Sequence, residues 1–499
     1  MSRTTDDETK AWPADPATPE PTLVEPEAEP EPDGTVSPAP EPTGPLAWTG
    51  PLVVAVLAAA AYIAYSIAQW HKYETPSWDL GIFTQLARRY SDFQAPIVTI
   101  KGEGFNLLGD HFHPLLVVLG PVYKVFPSPL TLLVLQDLLF AFSVYVVARQ
   151  AVRVLGALEG VLVGAAYAVS FGLVEAVASQ FHEIAFAVPL LALSLVAFVR
   201  ERWWACALWA APLVFVKEDL GLTVAALGLV LWWRSRQRVG LWLTAWGAGW
   251  VVLATAVLVP LLNPSDQWDY SGRIDVRALV SQPWTAVTML FDDGAKLGTL
   301  VMLVAITGLI GLRSPLMLVA VPTILWRFWA TNEFYWGHQW HYGAILMPIA
   351  FAALLDGVLL ARRSPRPWLR RYAMAAGSVA VVVAVTFVPQ GPLGKLAKPD
   401  FWAGSTRAAE AAAVLGAIPD DATVETDIGL MSNLAPRTQV YYVGNTGNPA
   451  PDYVLIDNWG GGWSSPIDDV AAYAEQQHPG DSYEVVSNAG GYALAKRVP

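Results

Sequence analysis

The chain has 499 residues, of which 54% are hydrophobic and only 15% charged, and its formal net charge is −12. A soluble domain carries about 25% charged residues, so this composition excludes an ordinary soluble protein and leaves room for about ten membrane spans and one small soluble domain. The absence of a dense basic patch excludes nucleic acid as a partner, and the single Cys206 excludes an intrachain disulfide.

Residues 1–45 hold many acids among Pro, Ala and Thr. Such a segment cannot bury enough apolar area to fold, which predicts a disordered acidic tail. It has neither the basic start nor the short apolar core of a signal peptide. The first span is predicted at 47–69. Further apolar runs follow near 128–148, 155–175, 183–199, 203–216, 218–233, 240–262, 296–312, 315–330, 342–360 and 372–389. The shorter piece 114–127 contains Pro121 and Pro127 and is predicted to lie in or dip into the interface. The expected fold is therefore an all-α polytopic membrane protein of about eleven transmembrane helices over 46–389, with a first loop at 70–127.

Arginine marks every second loop: Arg149 and Arg153, Arg200 and Arg202, Arg234 to Arg238, Arg313, and Arg362 to Arg371. The positive-inside rule places these loops and the N-terminus in the cytoplasm, at the plasma membrane. The 22 Trp, many near the ends of apolar runs, suit an interfacial aromatic belt. The runs 203–216 and 218–233 are short for a bilayer, and they read as a hairpin with Lys217-Glu218-Asp219 at its tip. From 390 the pattern changes to alternating helix and strand signals. Helices are expected at 404–417 and 467–477, and strands near 422–425, 439–443, 453–457, 483–487 and 492–496. Residues 390–499 thus read as an extracytoplasmic α/β domain.

Polar residues concentrate in the loops opposite the arginines. Six of the seven His lie there: His71, His111, His113, His182, His338 and His341. The same loops hold Asp79, Asp110, Glu183, Lys217, Glu218, Asp266, Asp269, Tyr270, Arg273 and Glu333, with Arg327 at the margin. An ionisable group at the edge of hydrocarbon is costly, so several converging groups predict a site. Each also has a plainer reading. Asp79 suits the N-cap of a helix 80–90, and His113 before Pro114 suits another helix start. The pair His111 and His113 faces one side of an extended segment, as metal ligands do. Trp326 and Arg327 suit interfacial anchors.

The runs W-D-L-G-I-F-T-Q at 78–85, G-D-H-F-H-P at 109–114, F-H-E at 181–183 and K-E-D at 217–219 carry a resemblance. With I-P-D-D-A-T-V-E-T-D at 418–427, L-A-P-R at 434–437 and D-Y-V-L-I-D at 452–457, the chain resembles the predicted membrane proteins of DUF2079 over nearly all of 47–499. That family is similar to the GT-C superfamily of polytopic glycosyltransferases. The resemblance implies transfer of a sugar from a polyprenyl-phosphate carrier, within the membrane lipid, to a glycan, lipid or protein acceptor on the outer face. It implies a catalytic acid just after the first span, where Asp79 stands, with Asp110 as the second catalytic candidate. Lys217 and Arg327, backed by His338 and His341, are the expected phosphate-side cations. Trp78, Gln85, His111, His113, His182, Glu183 and Glu218 complete the expected substrate contacts, and Trp336 is a second ring for stacking on sugar. The cofactor expectation is limited to a divalent cation, with Asp110, His111, His182 and Glu183 as its ligands. The competing expectation is a transporter or flippase for a lipid-linked or anionic solute, which usually keeps polar groups near the bilayer midplane.

Overall fold

The computed structural model describes residues 44–499, so the expected tail 1–45 lies almost wholly outside the described residues. The chain is mainly helical, and a small sheet is built from its last eighty residues. Among the described residues, five helices are long and apolar enough to cross a bilayer: Pro45–His71, Pro129–Leu155, Ala157–Ser179, Arg238–Leu262 and His341–Arg362. Shorter apolar helices, among them Ile184–Val199, Trp203–Phe215, Leu220–Ser235, Gly294–Ile306, Pro315–Trp329 and Ala376–Phe387, coincide with the remaining apolar runs. The piece expected in the interface is Pro114–Val125, a 3-10 turn leading into a short helix.

Burial sorts the long helices. His341–Arg362 is 89% buried and runs through the core, whereas Arg238–Leu262 is 17% buried and lies at the periphery. Outward faces carry large apolar side chains such as Leu57, Trp242, Val252, Leu261 and Val382. A soluble surface does not tolerate so much exposed hydrocarbon, but lipid does. The core helix also links the two ends of the bundle. Its 22 residues span about 33 Å at 1.5 Å per residue, the thickness of a bilayer's hydrocarbon. His341 opens it among the polar loops, while the Arg362 guanidinium at its far end donates to the Val154 carbonyl at 2.6 Å. Near that far end Arg234 pairs with Asp356 at 3.7 Å. The arginine-marked turns and the polar loops therefore occupy opposite ends of this helix.

The sheet has five strands: β1 Thr423–Thr426, β2 Gln439–Tyr442, β3 Tyr453–Asp457, β4 Ser482–Ala489 and β5 Tyr492–Val498. Its order is β2-β1-β3-β5-β4, parallel across the first three and antiparallel across the last two pairs. Gly490 and Gly491 both have positive φ (60° and 82°), which joins β4 to β5 with the two-residue turn that matches strand twist. All five strands fall within a few residues of the sequence expectation. The two helices begin later than expected, at Ala408 and Val470. At the second, Asp469 sets the start by accepting from the Ala471 and Ala472 amides.

The sheet packs on the helix Trp78–Ser91, which follows the first span. Gln85 Nε2 donates to the Val440 carbonyl at 3.0 Å and Arg88 donates to the Thr438 carbonyl at 3.1 Å. Ser77 and Ser432 share a 2.6 Å hydroxyl–hydroxyl bond. Trp78 meets Tyr442 edge-on, with ring centroids 4.7 Å apart.

Candidate active site

The loops at this end meet around one cavity of about 410 Å³, which Trp78, Asp79, Asp110, His111, His113 and Lys217 line together with residues of three further segments. Asp79 lies in the first turn of Trp78–Ser91, with Ser77, not Asp79, in the N-cap position. Asp79 is therefore not the N-cap, because the helix starts two residues earlier than its apolar pattern suggests, and Ser77 at that position makes no side-chain cap bond. A carboxylate in a first helical turn is favoured by the exposed amide dipoles. Its Oδ2 accepts from Gln180 Nε2 at 2.9 Å. Burial pushes the Asp79 carboxyl above its ordinary range, with His182 and Lys217 drawing it partly back.

The segment 109–114 is set by a close backbone approach. Gly109 abuts the backbone of Leu262 and Asn263, where a side chain has no room, and Asn263 Nδ2 donates to the Gly109 carbonyl at 2.9 Å. This turns Asp110 onto Lys101 Nζ and the Tyr270 hydroxyl, both 3.2 Å from its Oδ1. Burial raises the Asp110 carboxyl, but His111 and Lys101 outweigh it and hold it below the usual range. His111 Nδ1 sits 2.6 Å from Glu218 Oε1, and its ring stacks on Tyr270 at 4.3 Å. Burial and Lys217 work against its proton, yet Glu218 prevails and the imidazole is raised. His113 is different. It opens the 3-10 turn at Pro114 without a side-chain cap bond, its Nδ1 has no partner, and burial lowers it to about 4.

Glu183 is the electrostatic centre of the next two segments. His182 Nδ1 lies 2.8 Å from its Oε2 and Lys217 Nζ 2.9 Å from its Oε1. Neither contact has hydrogen-bond alignment, so these are charge contacts. Burial alone raises Glu183, but His182 and Lys217 outweigh it and hold it well below the carboxylate range. Lys217 is correspondingly raised, since Glu183 and Asp219 overcome its desolvation. Asp219 also lines the cavity, with an Oδ1 that has no partner, and burial pushes it to about 6 against Lys217.

Four expected residues are placed elsewhere. Gln85 is spent on Thr99, the Ile100 amide and the Val440 carbonyl. Arg327 is fully buried, and its guanidinium donates to the carbonyls of Tyr335, Gly337 and Tyr342 at 2.8, 2.6 and 3.4 Å, which braces the loop between them. His338 faces a separate cavity of about 110 Å³ with Phe171, Glu175 and Gln390. Trp336 packs under Lys296 and donates to the Ala330 carbonyl. Sequence reasoning passed over Lys101, Gln180 and Tyr342, and it noted Tyr270, Arg273 and Asp219 without giving them a role. The Arg273 guanidinium lies 4.1 Å from the Tyr270 ring and 5.6 Å from the Tyr335 ring, and no carboxylate pairs with it among the described residues. An arginine in a loop with two acids was the available signal. Lys101 and Gln180 had none.

The four expected metal ligands are divided: Asp110 and His111 have Lys101 and Glu218 as partners, while His182 and Glu183 face each other. Among the described residues, one group of three donors lies close enough to share an ion, Asp79, His182 and His341, whose ligand atoms are all within 4.8 Å of one another. Two imidazoles and a carboxylate suit a borderline divalent ion such as zinc better than magnesium or calcium.

A bundle of apolar helices with a charged cavity at one end, bordered by a small mixed sheet, defines a polytopic membrane protein. Residues 72–494 match DUF2079, described as a predicted membrane protein, and the chain belongs to that family. No curated protein sequence matches it significantly. Its fold is similar to that of ArnT from Cupriavidus metallidurans in the apo state, one of the GT-C glycosyltransferases, with a TM-score of 0.51 at 13% identity over 89% of this chain and 97% of that one. The oligosaccharyltransferase of Archaeoglobus fulgidus aligns at a TM-score of 0.43 and 13% identity, over 81% of this chain and 68% of that one.

Proposed function

We propose that this protein is a membrane glycosyltransferase that moves a sugar from a polyprenyl-phosphate carrier to a glycan, lipid or protein acceptor on the outer face of the plasma membrane. In this reading about eleven apolar segments cross the bilayer, the N-terminus is cytoplasmic and the sheet lies outside. The observation that carries the proposal is the shared cavity. A half-buried carboxylate whose proton affinity is raised, Asp79, faces the same 410 Å³ space as Lys217 and as Arg273, which has no carboxylate partner among the described residues. That is the pairing needed to deprotonate a hydroxyl and to receive a phosphate.

The acceptor hydroxyl oxygen attacks the anomeric carbon while its proton passes to Asp79. The bond from that carbon to the phosphate oxygen breaks, its electron pair stays on the phosphate, and the anomeric configuration inverts. A positioned base of this kind is worth about 10²–10⁴-fold. Arg273 takes the role first expected of Arg327, because its planar fork has no carboxylate partner while that of Arg327 is saturated by carbonyls. Trp78 offers its ring to the sugar. A divalent cation, if bound, would be held by Asp79, His182 and His341 and would supply Lewis-acid polarisation of the phosphate.

Reconstitution with radiolabelled polyprenyl-phosphate sugars tests the proposal. Wild-type protein is expected to transfer label, and Asp79→Asn is expected to lose transfer while keeping expression and fold. Equal transfer by both would remove Asp79 as the base.

A further inference from the structure

Gln180 occupies an unusual backbone state. It follows the helix Phe171–Ser179 with φ of 140°, a region that residues with side chains seldom enter. Such a conformation is strained and persists only when the surroundings over-determine it. Here one carboxamide does so. Gln136, buried within Pro129–Leu155, donates Nε2 to the Gln180 carbonyl at 3.0 Å and to the Ala176 carbonyl at 3.2 Å. Its Oε1 accepts from the His182 amide at 3.2 Å.

The strained residue delivers its side chain to the start of Trp78–Ser91. Gln180 Oε1 accepts from the Leu80 amide at 3.0 Å, and Nε2 donates to Asp79 Oδ2 at 2.9 Å. The Leu80 N–H is one of the donors that a helix start leaves without an intrahelical partner. Ser77 sits where a cap would satisfy it, but the Ser77 hydroxyl is engaged by Ser432 and makes no cap bond. Gln180 caps the helix in its place. With its oxygen committed to an N–H, the amide has one orientation only. The reverse would set N–H against N–H and oxygen against carboxylate.

We propose that Gln180 is the positioning residue for Asp79: its amide holds one carboxylate oxygen and leaves the other for the cavity, while Gln136 holds the Gln180 backbone carbonyl in place. The consequence for rate rests on Asp79 being the base; the orientation of the carboxylate does not. A capping role alone predicts something different, and two variants separate them. Gln180→Glu keeps an oxygen for the Leu80 amide but loses the fixed donor. Gln180→Met loses both at similar volume.

The readout is the infrared carboxylate band of Asp79, isolated by subtracting the spectrum of Asp79→Asn in each background. The band is expected to shift in both variants, and the melting temperature to fall in both, in Gln180→Glu through oxygen set against the Asp79 carboxylate and in Gln180→Met through loss of the Leu80 cap. Transfer by Gln180→Glu is expected to lose at least about tenfold in kcat with KM unchanged, as misplacement of a reacting group does. An unmoved band in both variants, or wild-type kcat in Gln180→Glu, would overturn the proposal. If wild-type protein transfers no sugar, the glycosyltransferase reading fails separately and the infrared band still decides the role of Gln180.

Discussion

The imidazole rings of His182 and His341 lie face to face, with centroids 3.5 Å apart and planes at 20°. One ring follows the loop after Phe171–Ser179 and the other opens the core helix, so the stack ties the cavity floor to the most buried helix of the bundle. Two protonated rings at this separation would repel by about 5 kcal/mol at an effective dielectric near 20, so the pair holds one positive charge at most. His341→Phe is expected to keep the stack and to melt within a few degrees of wild type. His341→Arg places a permanent charge against His182 and is expected to melt much lower. Thermal unfolding in detergent checks both, and equal melting of the two variants would contradict the charge argument.

In the proposed transfer, Asp79 gives the rate a pH dependence of known sign. The base works only when ionised, and burial raises its proton affinity. The ionised fraction, and with it the rate, is therefore lost as pH falls through a value above the ordinary Asp pKa of about 3.9. The expected kcat profile has an acid limb displaced upward from that value. A rate that stays flat down to pH 4 would show that a different group accepts the proton.

Glu183 and Lys217 should fail singly and recover together. Glu183 is buried, Lys217 keeps only 13% of its side chain exposed, and the two face each other at 2.9 Å. Removing one partner of a buried pair leaves an uncompensated charge and costs about 3–5 kcal/mol. Lys217→Met is expected to lose that much stability, and Lys217→Met with Glu183→Gln is expected to regain much of it. Chemical denaturation in mixed micelles measures the cycle.

Arg273 and Arg327 are expected to separate binding from stability. Arg327→Lys leaves at least two of the three carbonyls it now serves without a donor, so the melting temperature falls. Arg273→Lys removes a planar fork from the cavity and only weakens its stacking on Tyr270 and Tyr335, so KM for the lipid-linked donor rises about tenfold, equivalent to about 1.4 kcal/mol, with a smaller fall in melting temperature than in Arg327→Lys. The reverse pattern would return the phosphate to Arg327.

The helices were legible because apolar runs report directly on lipid, and the strands because alternation reports on a half-buried sheet. Asp79, His111, His182, Glu183, Lys217 and Glu218 were legible as a set because they share the loops opposite the arginine-marked turns. The roles of Arg327 and His338 were not. Nothing in the run Trp326-Arg327 announces that three carbonyls from residues 335–342 will fold back onto the guanidinium. That Gln180 and not Ser77 caps the helix Trp78–Ser91 was hidden for the same reason, since the Ser77 hydroxyl is taken by Ser432.

Composition and hydrophobic period were sufficient to determine a helical membrane bundle, a terminal α/β sheet and the end of the bundle where charge collects, because these depend on each segment's own contact with lipid or water. Tertiary structure alone decided which of the collected groups share a cavity, which charges cancel and which side chain holds Asp79. Those outcomes depend on distances of about 3 Å between segments far apart in the chain, because hydrogen bonds fail beyond about 3.5 Å and the attraction of buried charges grows as the inverse of their separation.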